Sequence, residues 1–167
     1  MRLALATIVS SVGVLGLIAC TPTPQLLSLA DGTEVFYLSN TSIKAAAGYP
    51  RVRELKIDGE AFVRTPETGR PLTIRTRLMI LTVTGASGLR VTARSNETGE
   101  EADVLYGRVE AKKAYPSRQS EPDSLGAGEE VMVNETIDLQ EKETTDLSSL
   151  RSWSEALMAS VARRHAR

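Results

Sequence analysis

The sequence predicts an all-β domain carrying one helix at its C-terminal end. Three observations carry that reading. Apolar and polar residues alternate over Glu54–Arg64 with Phe62 as the exception, the period of a half-buried strand. Asp31-Gly32 stands between two apolar runs, the two-residue signal of a tight hairpin, because both central positions need a positive φ. The apolar spacing changes to threes and fours only after Asp146.

The bounds set by composition agree. The chain has 167 residues, 20 basic and 21 acidic side chains and a formal net charge of −1. A length prior of about 150 residues per domain gives one main domain. The sequence pI of 5.9 argues against nucleic acid as a partner, which calls for a strongly basic face. Aromatic residues make up only 4%, thin for stacking on sugars or bases. One Cys (Cys20) and one His (His165) leave no disulfide framework and no His/Cys zinc site. No cofactor is expected.

Met1-Arg2 begins the chain with a positive charge, and the apolar run Leu3 to Ala19 follows, broken by Ser10, Ser11, Gly13 and Gly16. That run is shorter than the roughly 20 residues of a spanning helix and ends in small residues, as an export signal does. Leu17-Ile18-Ala19-Cys20 resembles the bacterial lipobox, with cleavage between Ala19 and Cys20 and a lipid on the Cys20 thiol. The expected organisation is a lipoprotein signal peptide over 1–19, a lipid-anchored tether over 20–25, a β domain over 26–145, and an amphipathic helix with a basic tail over 146–167. The Pro22/Pro24 tether would reach roughly 15 Å in polyproline geometry. Thr21, where inner-membrane lipoproteins of proteobacteria carry Asp, favours the outer membrane over the inner.

Along the domain, Leu27, Leu29 and Val35–Leu38 flank the hairpin. Leu55, Ile57, Gly59, Ala61 and Val63 form the inward face of the next strand; Glu54, Lys56, Asp58, Glu60, Phe62 and Arg64 form the outward one. Pro66–Pro71 reads as a loop. Leu72–Arg77 alternates and runs on into Leu78–Val83, with a bend at Gly85 and Gly88. Leu89–Arg94 and Asp103–Ala111 follow as strands, Tyr115–Ser124 as an exposed loop, and Gly128–Val133 and Ile137–Leu139 as short strands. Gly59 and Gly107 interrupt their strands in similar settings. Leu147, Leu150, Trp153 or Ser154, Leu157 and Val161 share one helix face, with Asp146 as N-cap. Arg163, Arg164 and Arg167 crowd its end, where they suit the helix dipole and could meet lipid headgroups or an acidic partner.

Catalytic chemistry finds little footing. His165 stands at a chain end, unsuited to a triad. Asp58 and Glu60 share a strand face about 7 Å apart, within the range of glycosidase carboxylates, but alternating charge on a solvent face explains them equally well. Phosphate-binding glycine motifs do not occur. Phe62, an aromatic flanked by Glu60 and Arg64 on the outward face, has the composition of a small partner-binding hot spot; burial beneath the helix and Trp153 is the alternative.

Six segments in order resemble the periplasmic FecR-type domain: Leu29–Val35 (LADGTEV), Glu54–Phe62 (ELKIDGEAF), Arg70–Thr76 (RPLTIRT), Leu81–Gly85 (LTVTG), Val104–Glu110 (VLYGRVE) and Leu125–Glu130 (LGAGEE). The resemblance covers about residues 27–153. It departs at Leu89, where the family has an aromatic. FecR-type regulators carry a cytoplasmic anti-sigma segment and a transmembrane helix before this domain and a receptor-contacting subdomain after it; here a lipoprotein signal and a short helix stand in those places. The resemblance implies an elongated antiparallel β-sandwich or a β-solenoid-like domain. It also implies a non-enzymatic binding role in periplasmic sensing, with the membrane engaged through Cys20 and an envelope partner such as a TonB-dependent receptor or regulator. Candidate partner-binding residues are Glu60, Phe62 and Arg64. A structural lipoprotein that binds cell-wall or surface polysaccharide is the alternative.

Overall fold

The computed structural model describes residues 22–118 and 121–166. The signal peptide, the Ala19/Cys20 cleavage site and Thr21 lie outside the described residues. Ten strands and one helix follow in order: β1 (Pro24–Ser28), β2 (Glu34–Leu38), β3 (Ser42–Ala45), β4 (Glu54–Thr65), β5 (Leu72–Arg75), β6 (Met79–Ala93), β7 (Gly99–Lys113), β8 (Asp123–Leu125), β9 (Glu129–Asn134), β10 (Leu139–Thr144) and α1 (Leu147–His165). The strands form one sheet in the order β1-β2-β4-β5-β6-β7-β9-β10, with β3 on β4, β8 on β7, and a further pairing of β4 with β6. The chain is therefore mostly strand with a single C-terminal helix among the described residues.

The sheet is mixed, which corrects the purely antiparallel expectation: β4 and β5 run parallel through Glu54↔Thr73, Leu55↔Ile74 and Lys56↔Arg75. Loop 66–71 must bring the chain back from the end of β4 to its start. Twelve straight strand residues would span about 40 Å, while six loop residues reach about 20 Å. Strand β4 has to bend, and it does so at Gly59, whose φ is 127°. Its first half pairs with β3 and β5, and its second half with β2 and β6. A Cβ on Gly59 would lie 2.6 Å from the Thr41 hydroxyl oxygen. That hydroxyl accepts from the Glu60 amide at 3.1 Å and donates to the Glu60 carbonyl at 3.0 Å, closing the corner. Gly107 plays the matching part in β7 with a φ of 92°, opposite the irregular stretch of β6 between Thr84 and Leu89.

The hairpin at Asp31-Gly32 is fixed by more than its turn. The Asp31 carboxylate accepts from the Thr33 amide at 3.0 Å, the Tyr49 hydroxyl at 2.7 Å and Arg53 Nε at 2.7 Å. Arg53 also donates to the Thr68 hydroxyl at 2.7 Å and to the Arg70 carbonyl, so one buried ion pair ties the hairpin to loop 66–71. Burial raises the Asp31 pKa, but the bonds from Tyr49, Thr33 and Arg53 outweigh that and hold it at about 2.

Several boundaries differ from the sequence reading: Ser42–Ala45 forms an unexpected strand, β3, and β8 begins at Asp123, inside the expected loop Tyr115–Ser124. Pro24 and Gln25, expected in the tether, open β1 and pair with Leu38 and Tyr37. Leu72–Val83 is two strands, because a turn at Thr76–Leu78 separates β5 from β6. The last strand begins at Leu139, while Ile137 lies in the preceding turn and is 68% exposed. Its charged residues Glu141, Lys142 and Glu143 suit a sheet edge and hide the alternation that marks a strand.

Candidate interaction surface

The sheet buries apolar side chains on both faces. One face carries the large cluster that includes Val35, Leu55, Ile57, Ala61 and Val63, the inward face of β4. On the other, Phe36 and Phe62 pack with Leu157 and Val161 of α1, with Leu26, Leu38, Leu105, Trp153 and Met158 around them. The helix starts where expected: Asp146 caps it, its carboxylate accepting from the Ser148 amide at 2.9 Å. The hydrogen bonds from Ser148 and Ser149 hold the Asp146 carboxyl at about 2.

The three candidate partner-binding residues part company here. Phe62 is 1% exposed and meets Trp153 edge-on, ring centroids 6.4 Å apart. The expectation of an accessible aromatic hot spot is therefore corrected: α1 covers Phe62, and no partner touches it while the helix is docked. Glu60 pairs with Arg94 at 2.8 Å. Arg64 pairs with Glu34, lies over the Phe36 ring at 5.6 Å, and keeps 47% of its side chain exposed. It borders a cleft of about 200 Å³ between the sheet and α1, also lined by Leu105, Tyr106, Arg151, Glu155 and Met158. Tyr106, 38% exposed, lies against Gly88, where a Cβ would strike its ring. Asp58, the other half of the carboxylate pair, accepts from the Ser95 amide at 3.0 Å. Both carboxylates of that pair therefore hold neighbouring strands and loops together.

Two charged assemblies were not legible in the sequence. Arg90 lies over the Trp153 ring at 5.4 Å and pairs with Asp103 and Glu101, each at 2.9 Å. Asp103, whose side chain is fully buried, also accepts from the Thr145 hydroxyl at 2.9 Å, just before α1. Burial and the Asp103 carboxylate push Glu101 up to about 7 against the pull of Arg90. Burial and Asp103 likewise raise Glu130. Glu101, Asp103 and Glu130 could offer oxygens within 4.8 Å of one another to a cation. The Arg90 guanidinium already supplies a positive charge there and engages two of the three. In the second assembly, Glu100 accepts from the Thr76 hydroxyl and from the Leu78 amide at 2.9 Å, which closes the turn between β5 and β6. A carboxylate far along the chain thus replaces the Gly, Pro or Asn that would have signalled this turn. The only local hint of either assembly was acidic residues within strand β7, on positions where burial makes charge costly unless it is paired.

No protein-family model matches the chain, and no curated protein matches it. Solved structures do share its fold. Two crystal structures of a protein from Parabacteroides distasonis, described provisionally as an anti-sigma factor, align at TM-scores of 0.68 and 0.67 with 24% sequence identity. Each alignment covers 78% of this chain but 59% of that one, so this chain spans little more than half the length of its structural relative. Among the described residues, no helix is long and apolar enough to cross a membrane.

Proposed function

We propose that this chain is a lipid-anchored, non-enzymatic envelope protein built on a FecR-type β-sandwich, which binds another envelope protein in signal sensing or regulation. The observation that carries the reading is the fold shared, over 78% of the chain, with a protein described provisionally as an anti-sigma factor. The export-type segment ending at Cys20 supports an address in the bacterial envelope, with the outer membrane favoured by Thr21. The seam between α1 and the sheet, where Arg64 and Tyr106 remain accessible, suits a protein partner. The polysaccharide alternative gains less support, because Trp153 is engaged by Phe62 and Arg90 and does not offer an open stacking platform.

Photo-cross-linking from positions 64 and 106 in intact cells tests the reading. Adducts with a membrane receptor or a membrane-bound regulator are expected. Adducts confined to wall or surface polysaccharide would sink it in favour of the structural lipoprotein. For the anchor, Cys20→Ser is expected to abolish both cleavage and stable membrane association.

A further inference from the structure

We propose that the basic end of α1 is a second membrane contact, in which Arg163 and Arg164 bind anionic phospholipid headgroups and set how the anchored domain stands on its bilayer. The inference rests on the anchoring at Cys20 proposed above. It comes from a juxtaposition the sequence hides. Arg164 Nη1 lies 3.5 Å from the Pro24 carbonyl oxygen, between residues 140 apart in the chain. Leu105 shares a cleft with Arg151, Glu155 and Met158, whereas Pro24, Gln25 and Leu26 lie around Arg164, so the C-terminal end of the helix comes to rest beside β1.

The N-terminal side is held equally closely. The Thr23 amide donates to the Ser39 hydroxyl at 3.0 Å and its carbonyl accepts from the Ser39 amide at 2.8 Å. Between that fixed backbone and the thiol of Cys20 stand only Thr21 and Pro22, a reach of about 10 Å when extended. With one more residue to Pro24 and the 3.5 Å contact added, a lipid on Cys20 keeps the Arg164 guanidinium within roughly 20 Å of the bilayer surface, so a modest tilt of the domain seats this end of α1 on the headgroups.

The charge around this end is one-sided. Arg163 and Arg164 are exposed, and α1 carries no Asp or Glu after Glu155. Neither β1 nor Leu38–Thr41 carries a charged residue. Among the described residues neither arginine has a carboxylate partner, although the chain as a whole is slightly acidic. Arginines beside an anionic surface are attracted to it, which orients a domain that an acyl anchor already holds there. Arg151, at the α1–sheet cleft, lies about 18 Å further along the helix, which offers that cleft away from the lipid.

The test uses the acylated protein purified from membranes and carrying Ala166→Cys. With Cys20 acylated, the added thiol is the single one available to a fluorophore. The labelled protein is placed in vesicles of phosphatidylethanolamine with phosphatidylglycerol, or of phosphatidylcholine alone, each with a quencher on the headgroups. Quenching should be about threefold stronger on the anionic vesicles. It should fall to the neutral level in high salt and in the Arg163→Gln/Arg164→Gln variant. One label per chain with equal quenching on both vesicles would overturn the proposal alone. So would quenching lost only when an envelope protein fraction is added, which would assign the arginines to an acidic protein. Two labels per chain would show a free Cys20 thiol and overturn the anchoring together with this inference.

Discussion

The two apolar clusters of this molecule are built differently. The large one is built mainly from strand residues, many of them placed by ladders on both sides: Leu55 pairs with Ile74, which pairs with Leu81. The small one depends on a helix from the chain's end lying across β1, β2, β4 and β7, so that Phe36 and Phe62 are buried only while α1 stays docked. Polar fixings differ to match. The hairpin and loop 66–71 share the Asp31–Arg53 pair, whereas the helix is positioned by Trp153 between Phe62 and Arg90. A cluster held by ladders has no partial form, while a covered patch can lose its cover.

The largest effect should come from the strand corner. Gly107→Val forces a φ of 92° on a branched residue and drives its Cβ onto the Ser87 hydroxyl and to 2.7 Å from the Ala86 carbonyl oxygen. Strain and overpacking together should cost about 4 kcal/mol, read as a lower urea midpoint with all strands lost at once. A variant as stable as wild type would break the claim that the ladders leave no slack.

Next is the covered patch. Phe62→Ala should lose about 3 kcal/mol, as for a core phenylalanine. Hydrogen exchange should accelerate across α1 well before it does in β6 and β7. Equal acceleration in helix and sheet would show that the two clusters are one cooperative unit.

The Asp31 network is smaller again. Asp31→Asn removes a charge-assisted acceptor and should cost about 2 kcal/mol at neutral pH. In the wild type, the folded carboxyl at about 2 lies below its ordinary 3.8. Its stabilisation is therefore full above pH 4 and lost as pH falls towards 2. The variant should show a flatter acid limb in melting temperature. Parallel acid limbs would assign acid unfolding to other carboxylates.

The smallest effect concerns Glu101. Its folded value of about 7 lies above the ordinary 4.5, so the folded state holds the proton more tightly. The stability it confers is present below about pH 4.5 and lost as pH rises through 7. Glu101→Gln should remove that slope between pH 5 and pH 8 with little change at pH 5. An unchanged slope would place the titration on another group beside Arg90.

The sequence by itself determined that the domain is mostly strand, the inward face of β4, the hairpin at Asp31-Gly32, the corners at Gly59 and Gly107, and the capped helix. All of these rest on neighbours within a few residues, through side-chain alternation, turn conformation and helical spacing. Only the tertiary structure decided that Phe62 belongs under α1, that β5 lies parallel to β4, that Glu100 closes the turn at Thr76–Leu78, and that Arg90 gathers Glu101 and Asp103 beneath Trp153. Each of these joins residues from distant parts of the chain, where period and propensity carry no information. Phe62 shows the reason most plainly. An aromatic on the outward face of a strand reads the same whether water or a helix lies above it, and here the helix begins more than eighty residues later.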